Sequence, residues 1–149
     1  MTARSYAEVL QFYAEQIHAL DDGRVDDWAA TFAQDAVFVQ QAVPGRRFAQ
    51  NATAERTGRT AIADALRGAI RKRADTRVTR RYWIDVVVAT PADGGLRTRF
   101  YALNVETPEG GPTTVHNSTV GEDLLTEQEG RLQIRRRTIV HDAAASRGA

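Results

Sequence analysis

Val78-Thr79-Arg80-Arg81-Tyr82-Trp83-Ile84-Asp85-Val86-Val87-Val88-Ala89-Thr90 opens the half of the chain where apolar residues recur with a period of two. A run this rich in β-branched and aromatic side chains reads as a strand. Similar segments follow at 96–107, 113–125 and 131–141. They are separated by Pro91-Ala92-Asp93-Gly94-Gly95, Pro108-Glu109-Gly110-Gly111-Pro112 and Glu127-Gln128-Glu129-Gly130. Each separator carries glycine, which supplies the positive φ of a tight turn. Four long strands joined this way predict an antiparallel meander.

Upstream, the period is helical. Ser5-Tyr6-Ala7-Glu8 has the capping-box pattern, in which serine and glutamate satisfy each other's backbone amides. Val9, Tyr13, Ile17 and Leu20 then form one apolar stripe over about four turns, ended by Gly23. A second short helix is predicted from Asp26 through Trp28 to Phe32, with Asp26 and Asp27 at its positive end. Ala36-Val37-Phe38-Val39 reads as a short strand, and residues 41–57 as a polar loop turning at Pro44-Gly45. A third helix begins at about Thr60, carries Ile62, Leu66, Ala69 and Ile70 on one face, and closes on Arg71-Lys72-Arg73. Helices first and sheet second predict an α+β fold, with three N-terminal helices packed on a curved antiparallel sheet. A sheet that curls over helices leaves room for a pocket.

The 149 residues fit one domain, 1–149, and 42% hydrophobic with 26% charged residues is a globular composition. No apolar run reaches the ~18–20 residues of a membrane span, and the N-terminus lacks a signal-peptide core. A cytoplasmic protein without membrane contact is therefore expected. The sequon Asn51-Ala52-Thr53 carries no meaning in that compartment. With no cysteine, disulfides, thiolate catalysis and cysteine-ligated metals are excluded. A formal charge of +1, with acids scattered among the arginines, argues against a nucleic-acid face. His18, His116 and His141 include no i, i+4 pair, and there is no GxGxxG, Walker A or GxSxG motif. Neither metal nor cofactor is expected, which leaves side-chain acid–base chemistry.

Strand parity supplies the candidates. On 78–90, Tyr82, Ile84, Val86 and Val88 share a largely apolar face, with Tyr82 its single polar tip. Tyr82 is either a pocket hydroxyl or a partnered core tyrosine. On 113–125, His116, Ser118, Val120, Glu122 and Leu124 share one face, and Asn117, Thr119, Gly121, Asp123 and Leu125 the other. Buried in a pocket, His116 and Glu122 would have pKa values suited to proton transfer; on an exposed face they are surface residues. Asn104 lies on the face of Thr98, Phe100 and Ala102. Arg137 is read as pairing with Asp85 or another carboxylate across the sheet. Tyr13, Trp28 and Trp83 are read first as core or dimer-interface residues.

The whole pattern resembles the nuclear-transport-factor-2-like (NTF2-like) superfamily, in particular its SnoaL-like polyketide cyclase branch. The marks are Phe32-Ala33-Gln34-Asp35-Ala36-Val37-Phe38, Gly58-Arg59-Thr60-Ala61-Ile62, Thr79-Arg80-Arg81-Tyr82 and Gly130-Arg131-Leu132-Gln133-Ile134 running on to Arg137 and Asp142. The resemblance implies a cone-shaped fold, a homodimer through the outer sheet face and a hydrophobic small-molecule substrate. Where many relatives have Arg-His, this chain has Arg81-Tyr82. Aligned with ketosteroid isomerase, the catalytic base falls at Gln40, the oxyanion tyrosine at Gln16 and the protonated aspartate near Glu122. An isomerase copying that mechanism is not expected. The expected activity is cofactor-independent cyclisation, dehydration or isomerisation of a polyketide-like carbonyl compound. Tyr82, His116 and Glu122 are the catalytic candidates, and Tyr13, Trp28, Gln40, Asn104 and Arg137 the substrate contacts. The alternatives are a binding protein of the same fold or the small subunit of an oxygenase.

Overall fold

The computed structural model describes residues 3–42, 53–74 and 77–142, without the side chains of Val86 and Val87. The Pro44-Gly45 turn and Asn51 of the sequon lie outside the described residues. Helix α1 spans Tyr6–Asp21 and starts in the anticipated capping box. The Ser5 amide donates to Glu8 Oε2 at 2.7 Å, and the Glu8 amide to Ser5 Oγ at 3.2 Å. Val9, Tyr13, Gln16 and Ala19 are its buried residues.

Helix α2 is shorter than predicted, Val25–Ala30. Thr31 turns its hydroxyl back to the Trp28 carbonyl, and strand β1 begins at once, spanning Phe32–Gln40. Strand β2, Ala54–Thr57, pairs antiparallel with β1 in the stretch read from sequence as loop. Gly58, at φ 92°, then turns the chain into α3, Arg59–Lys72, whose Ile62 and Ala63 are buried. The meander follows as β3 (Val78–Ala92), β4 (Gly95–Pro108), β5 (Thr114–Gln128) and β6 (Arg131–His141).

The sheet order is β2-β1-β6-β5-β4-β3. The sheet is mixed rather than wholly antiparallel, because β6 returns beside β1 in the same direction. Three helices pack on this curved, unclosed sheet, an NTF2-like α+β arrangement. The core joins Val9, Tyr13 and Ala19 of α1 and Trp28 of α2 to Phe32, Phe100, Leu125 and Ile134 of the sheet. Among the described residues, no helix is long and apolar enough to cross a membrane.

Candidate functional site

The helices and the concave face of the sheet enclose a cavity of about 350 Å³. Its walls are mostly apolar: Ile17 and Leu20 of α1, Trp28 of α2, Leu66 of α3 and Phe100 of β4 all reach it.

One wall is polar. Tyr82 of β3 stands opposite Asn104 of β4, and Asn104 opposite Asn117 of β5. Thr119 of β5 stands opposite His141 of β6, and all five side chains line the cavity. Directly opposed residues present their side chains on the same face, so a continuous row crosses four strands. Asn117 Nδ2 lies 2.9 Å from His141 Nδ1, and Thr119 Oγ1 also 2.9 Å from it. An amide nitrogen only donates, so Nδ1 accepts and the neutral ring carries its proton on Nε2. Burial lowers the His141 pKa below its ordinary value, partly offset by the Asp142 carboxylate. At the other end of the row, the Tyr82 hydroxyl sits between Asn104 Nδ2 and Arg73 Nη1, each 3.4 Å away. Asn104 is 6% exposed, and its Oδ1 has no hydrogen-bond partner among the described residues. The Tyr82 backbone amide donates to Asp21 Oδ1 at 3.0 Å, tying this end of β3 to the end of α1. Burial raises the Asp21 carboxyl above its ordinary range, against the lowering effect of that amide.

A second polar cluster lies beside the cavity and reaches its lining only through Arg137. Arg137 Nε and Nη2 donate to the two Asp123 carboxylate oxygens at 2.8 and 2.9 Å, and Nη2 also to Gln16 Oε1 at 2.9 Å. Tyr13 Oη donates to Asp123 Oδ2 at 2.6 Å and accepts from Thr98 Oγ1 at 2.6 Å. Gln16 Nε2 passes the chain on to Thr31 Oγ1 at 2.7 Å. The Arg137 guanidinium stacks over Phe32 and Phe100, with Cζ 5.4 and 5.2 Å from the ring centres. Burial alone would lower the Arg137 pKa, but Asp123 outweighs it and holds the guanidinium above its ordinary value. Burial, then the Asp123 charge, pushes the Tyr13 phenol well above its usual range, so it stays a donor.

Several sequence expectations are corrected by this geometry. Glu122 is exposed on the outer face, opposite Arg99; Asp123 and Leu125 face inward instead. The reason is Phe100, a buried side chain directly opposite Gly121, which fixes the odd-numbered face of β5 as the inner one. His116 reaches the cavity rim through a bulge: Asn104 pairs with Asn117 and Val105 with Val115, leaving His116 between them. Its side chain is 53% exposed, 3.7 Å from Glu106. A register shift between Val86 and Val88 turns Val88 outward. Tyr13 is sealed within the Asp123 cluster and does not line the cavity, whereas Trp28, Gln40 and Arg137 do. Arg137 does pair with a carboxylate across the sheet, and of the alternatives it is the cross-strand neighbour Asp123 rather than Asp85.

The sequence reading passed over Asn117, Thr119, Asp123 and His141. The alternation that carries Arg137 inward continues through Ile139 to His141, and it was the available signal. Among the described residues, no three His, Cys, Asp or Glu side chains converge as a metal site.

The SnoaL-like domain family matches residues 1–138. No curated protein matches the chain. A protein from Catenulispora acidiphila, solved in complex with S-DNPA, is 33% identical, with 92% of each chain covered and a TM-score of 0.71. Aln2 from a Streptomyces species is 31% identical over 93% of each chain, TM-score 0.73. ActVI-ORFA from Streptomyces coelicolor is 28% identical over 92% of this chain and 96% of its own, TM-score 0.75. The β subunit of a putative aromatic-ring-hydroxylating dioxygenase from Novosphingobium aromaticivorans, 21% identical over 93% of this chain and 89% of its own with a TM-score of 0.73, shares the fold alone. With the family matched over residues 1–138 and this architecture beneath it, the chain belongs to the SnoaL-like domain family of the NTF2-like superfamily.

Proposed function

We propose that the cavity binds an apolar, carbonyl-rich small molecule of polyketide type and moves a proton next to one of its carbonyls without a cofactor. The observation that carries this reading is the row Tyr82–Asn104–Asn117–His141 along one wall of an otherwise apolar cavity. His141 is the electrophile: Asn117 and Thr119 occupy Nδ1 and leave the proton on Nε2, burial keeps the ring neutral near pH 7, and Nε2–H hydrogen-bonds the substrate carbonyl as its α-proton passes to water. The Tyr82 hydroxyl and Asn104 amide stabilise the oxygen on which enolate charge develops. His116 stands at the rim, where it contacts the ligand without burial. Glu122, on the outer face, has no part in the reaction. Cyclisation, dehydration and isomerisation all pass through this step.

The test uses an enolisable apolar ketone, 2-tetralone, in D₂O. Exchange of its α-hydrogens, followed by proton NMR, should be accelerated by the protein and reduced about 10²–10⁴-fold in His141→Gln. Exchange unchanged in both His141→Gln and Tyr82→Phe overturns the proposal.

A second reading, a binding protein or oxygenase small subunit, is favoured by one observation. Gln16, where the isomerase alignment puts its oxyanion tyrosine, is buried and committed to Arg137 and Thr31. That reading predicts binding of S-DNPA without exchange of 2-tetralone. The proposed homodimer uses the outer face of the sheet, where Trp83, Tyr101 and Val115 are 63%, 52% and 60% exposed. Light scattering that returns the mass of a monomer removes it.

A further inference from the structure

The chain as a whole is close to charge balance, with 20 basic and 19 acidic residues, but its cavity is not. Among the described residues that line it, the charged ones are Arg56, Arg73 and Arg137, and no carboxylate joins them. Arg137 is neutralised by Asp123, and Arg73 lies 3.4 Å from the Tyr82 hydroxyl. Arg56 is placed differently. It stands on β2 opposite Phe38, which itself stands opposite Arg137, so strand pairing puts its side chain on the concave face. Its guanidinium donates to the Glu55 backbone carbonyl at 3.2 Å, and among the described residues no carboxylate lies within ion-pairing distance of it. Unlike Arg137, it is exposed and open to a ligand. Gln40, which pairs with Ala54 and also lines the cavity, adds a neutral amide donor at this corner. A cation beside apolar walls, with no counterion, gives the cavity a positive field that the low-dielectric surroundings strengthen.

Resting on the cavity as a ligand site, we infer that Arg56 is a specificity residue that binds a carboxylate on the otherwise apolar ligand. The planar guanidinium fork matches the two oxygens of a carboxylate. Arg56 belongs to one edge strand of the sheet and Tyr82 to the other. A carboxylate held at Arg56 therefore lays the ring system across the concave face, toward Asn117 and His141. The substrate class is then a carboxylic acid whose reacting carbonyl lies at the end of the ring system remote from the acid. An ester or amide of the same skeleton loses the charge-assisted bond and is held more weakly.

The probes are 2-naphthylacetate and its neutral isostere 2-naphthylacetamide, titrated calorimetrically into the full-length protein at low salt. The wild type should bind the acetate about fivefold or more tightly than the amide. Arg56→Gln keeps a donor without the charge and should bring the two affinities within about twofold. Arg56 is exposed on an edge strand, so this variant should fold as the wild type does. Arg99→Gln removes the same charge from the outer face, opposite Glu122, and should keep the preference in full. Preference absent in the wild type, retained in Arg56→Gln, or lost equally in Arg99→Gln overturns the inference and leaves proton transfer standing. If neither compound binds the wild type, the cavity reading and this inference fall together. An intact acetate preference without any acceleration of 2-tetralone exchange overturns only the catalytic proposal.

Discussion

Two polar clusters, one beside the cavity and one along its wall, are built from similar groups and finished in opposite ways. In the first, Tyr13, Gln16, Asp123 and Arg137 are all at most 6% exposed, and every bond among them is 2.6–2.9 Å. In the second, Tyr82 hangs on two contacts of 3.4 Å, and Asn104 keeps an acceptor unpaired among the described residues. A buried pair of charges is best tolerated when its donors and acceptors are filled, and in the first cluster both Asp123 oxygens and Arg137 Nε and Nη2 are bonded. It clasps α1 to β5 and β6. The second cluster is unfinished as protein structure, which is the condition of a surface that completes itself on another molecule. Completeness of bonding, more than residue type, separates the part that holds the fold from the part that meets a ligand.

The largest effect that tests this contrast is on the clasp. Arg137→Met strands Asp123 with no cation, and should cost about 3–5 kcal/mol of stability in urea unfolding. The double variant Arg137→Met/Asp123→Leu should recover much of that loss, because no unpaired charge remains. A single-variant loss below about 1 kcal/mol breaks the contrast and moves Arg137 to the ligand side. Next in size is Gly121→Ala. A Cβ at Gly121 would run into the ring of Phe100, which is 2% exposed and has little room to retreat. Overpacking of this kind costs about 1–3 kcal/mol, read as a lowered urea midpoint. A neutral result would mean that Phe100 borders enough free cavity to yield.

The same glycine shows what the sequence disclosed and what it did not. The capping box at Ser5 and Glu8, the helical stripe of α1 and the glycine turns of the meander are local signals, and each formed where local chemistry placed it. Strand β2 and the parallel pairing of β1 with β6 depend on partners distant in sequence, and no local pattern announces them. The inner face of β5 was chosen for the chemistry of His116 and Glu122. Gly121 beside Asp123 pointed the other way, since a glycine in mid-strand marks close packing from a neighbour. The bulge at His116 then broke the parity rule itself, so a residue assigned to the wrong face still reached the rim. Where alternation was unbroken, as on β4, Thr98, Phe100 and Asn104 all turned inward.

A smaller effect sharpens the contrast from the cavity side. Tyr82→Phe removes a hydroxyl held only by long contacts, so stability should change by no more than about 0.5 kcal/mol. Slowed 2-tetralone exchange in that variant would separate function from folding within one side chain. A stability loss comparable with that of Arg137→Met would show the wall to be a second clasp.

The smallest effect concerns pH and isolates His141. Its folded pKa lies below the ordinary 6.5, chiefly through burial. As pH falls through about 6.5, the unfolded chain takes up a proton that the folded chain still refuses. Stability must therefore decline from there until the folded pKa is reached, and level off below it. His141→Gln has no such group, so between pH 7.5 and 5.5 its urea midpoint should fall less than that of the wild type. Parallel midpoints in the two proteins would mean that the imidazole is already hydrated in the folded chain. In that case Asn117 and Thr119 do not hold it as a neutral donor, and the wall loses its electrophile while the clasp keeps its role.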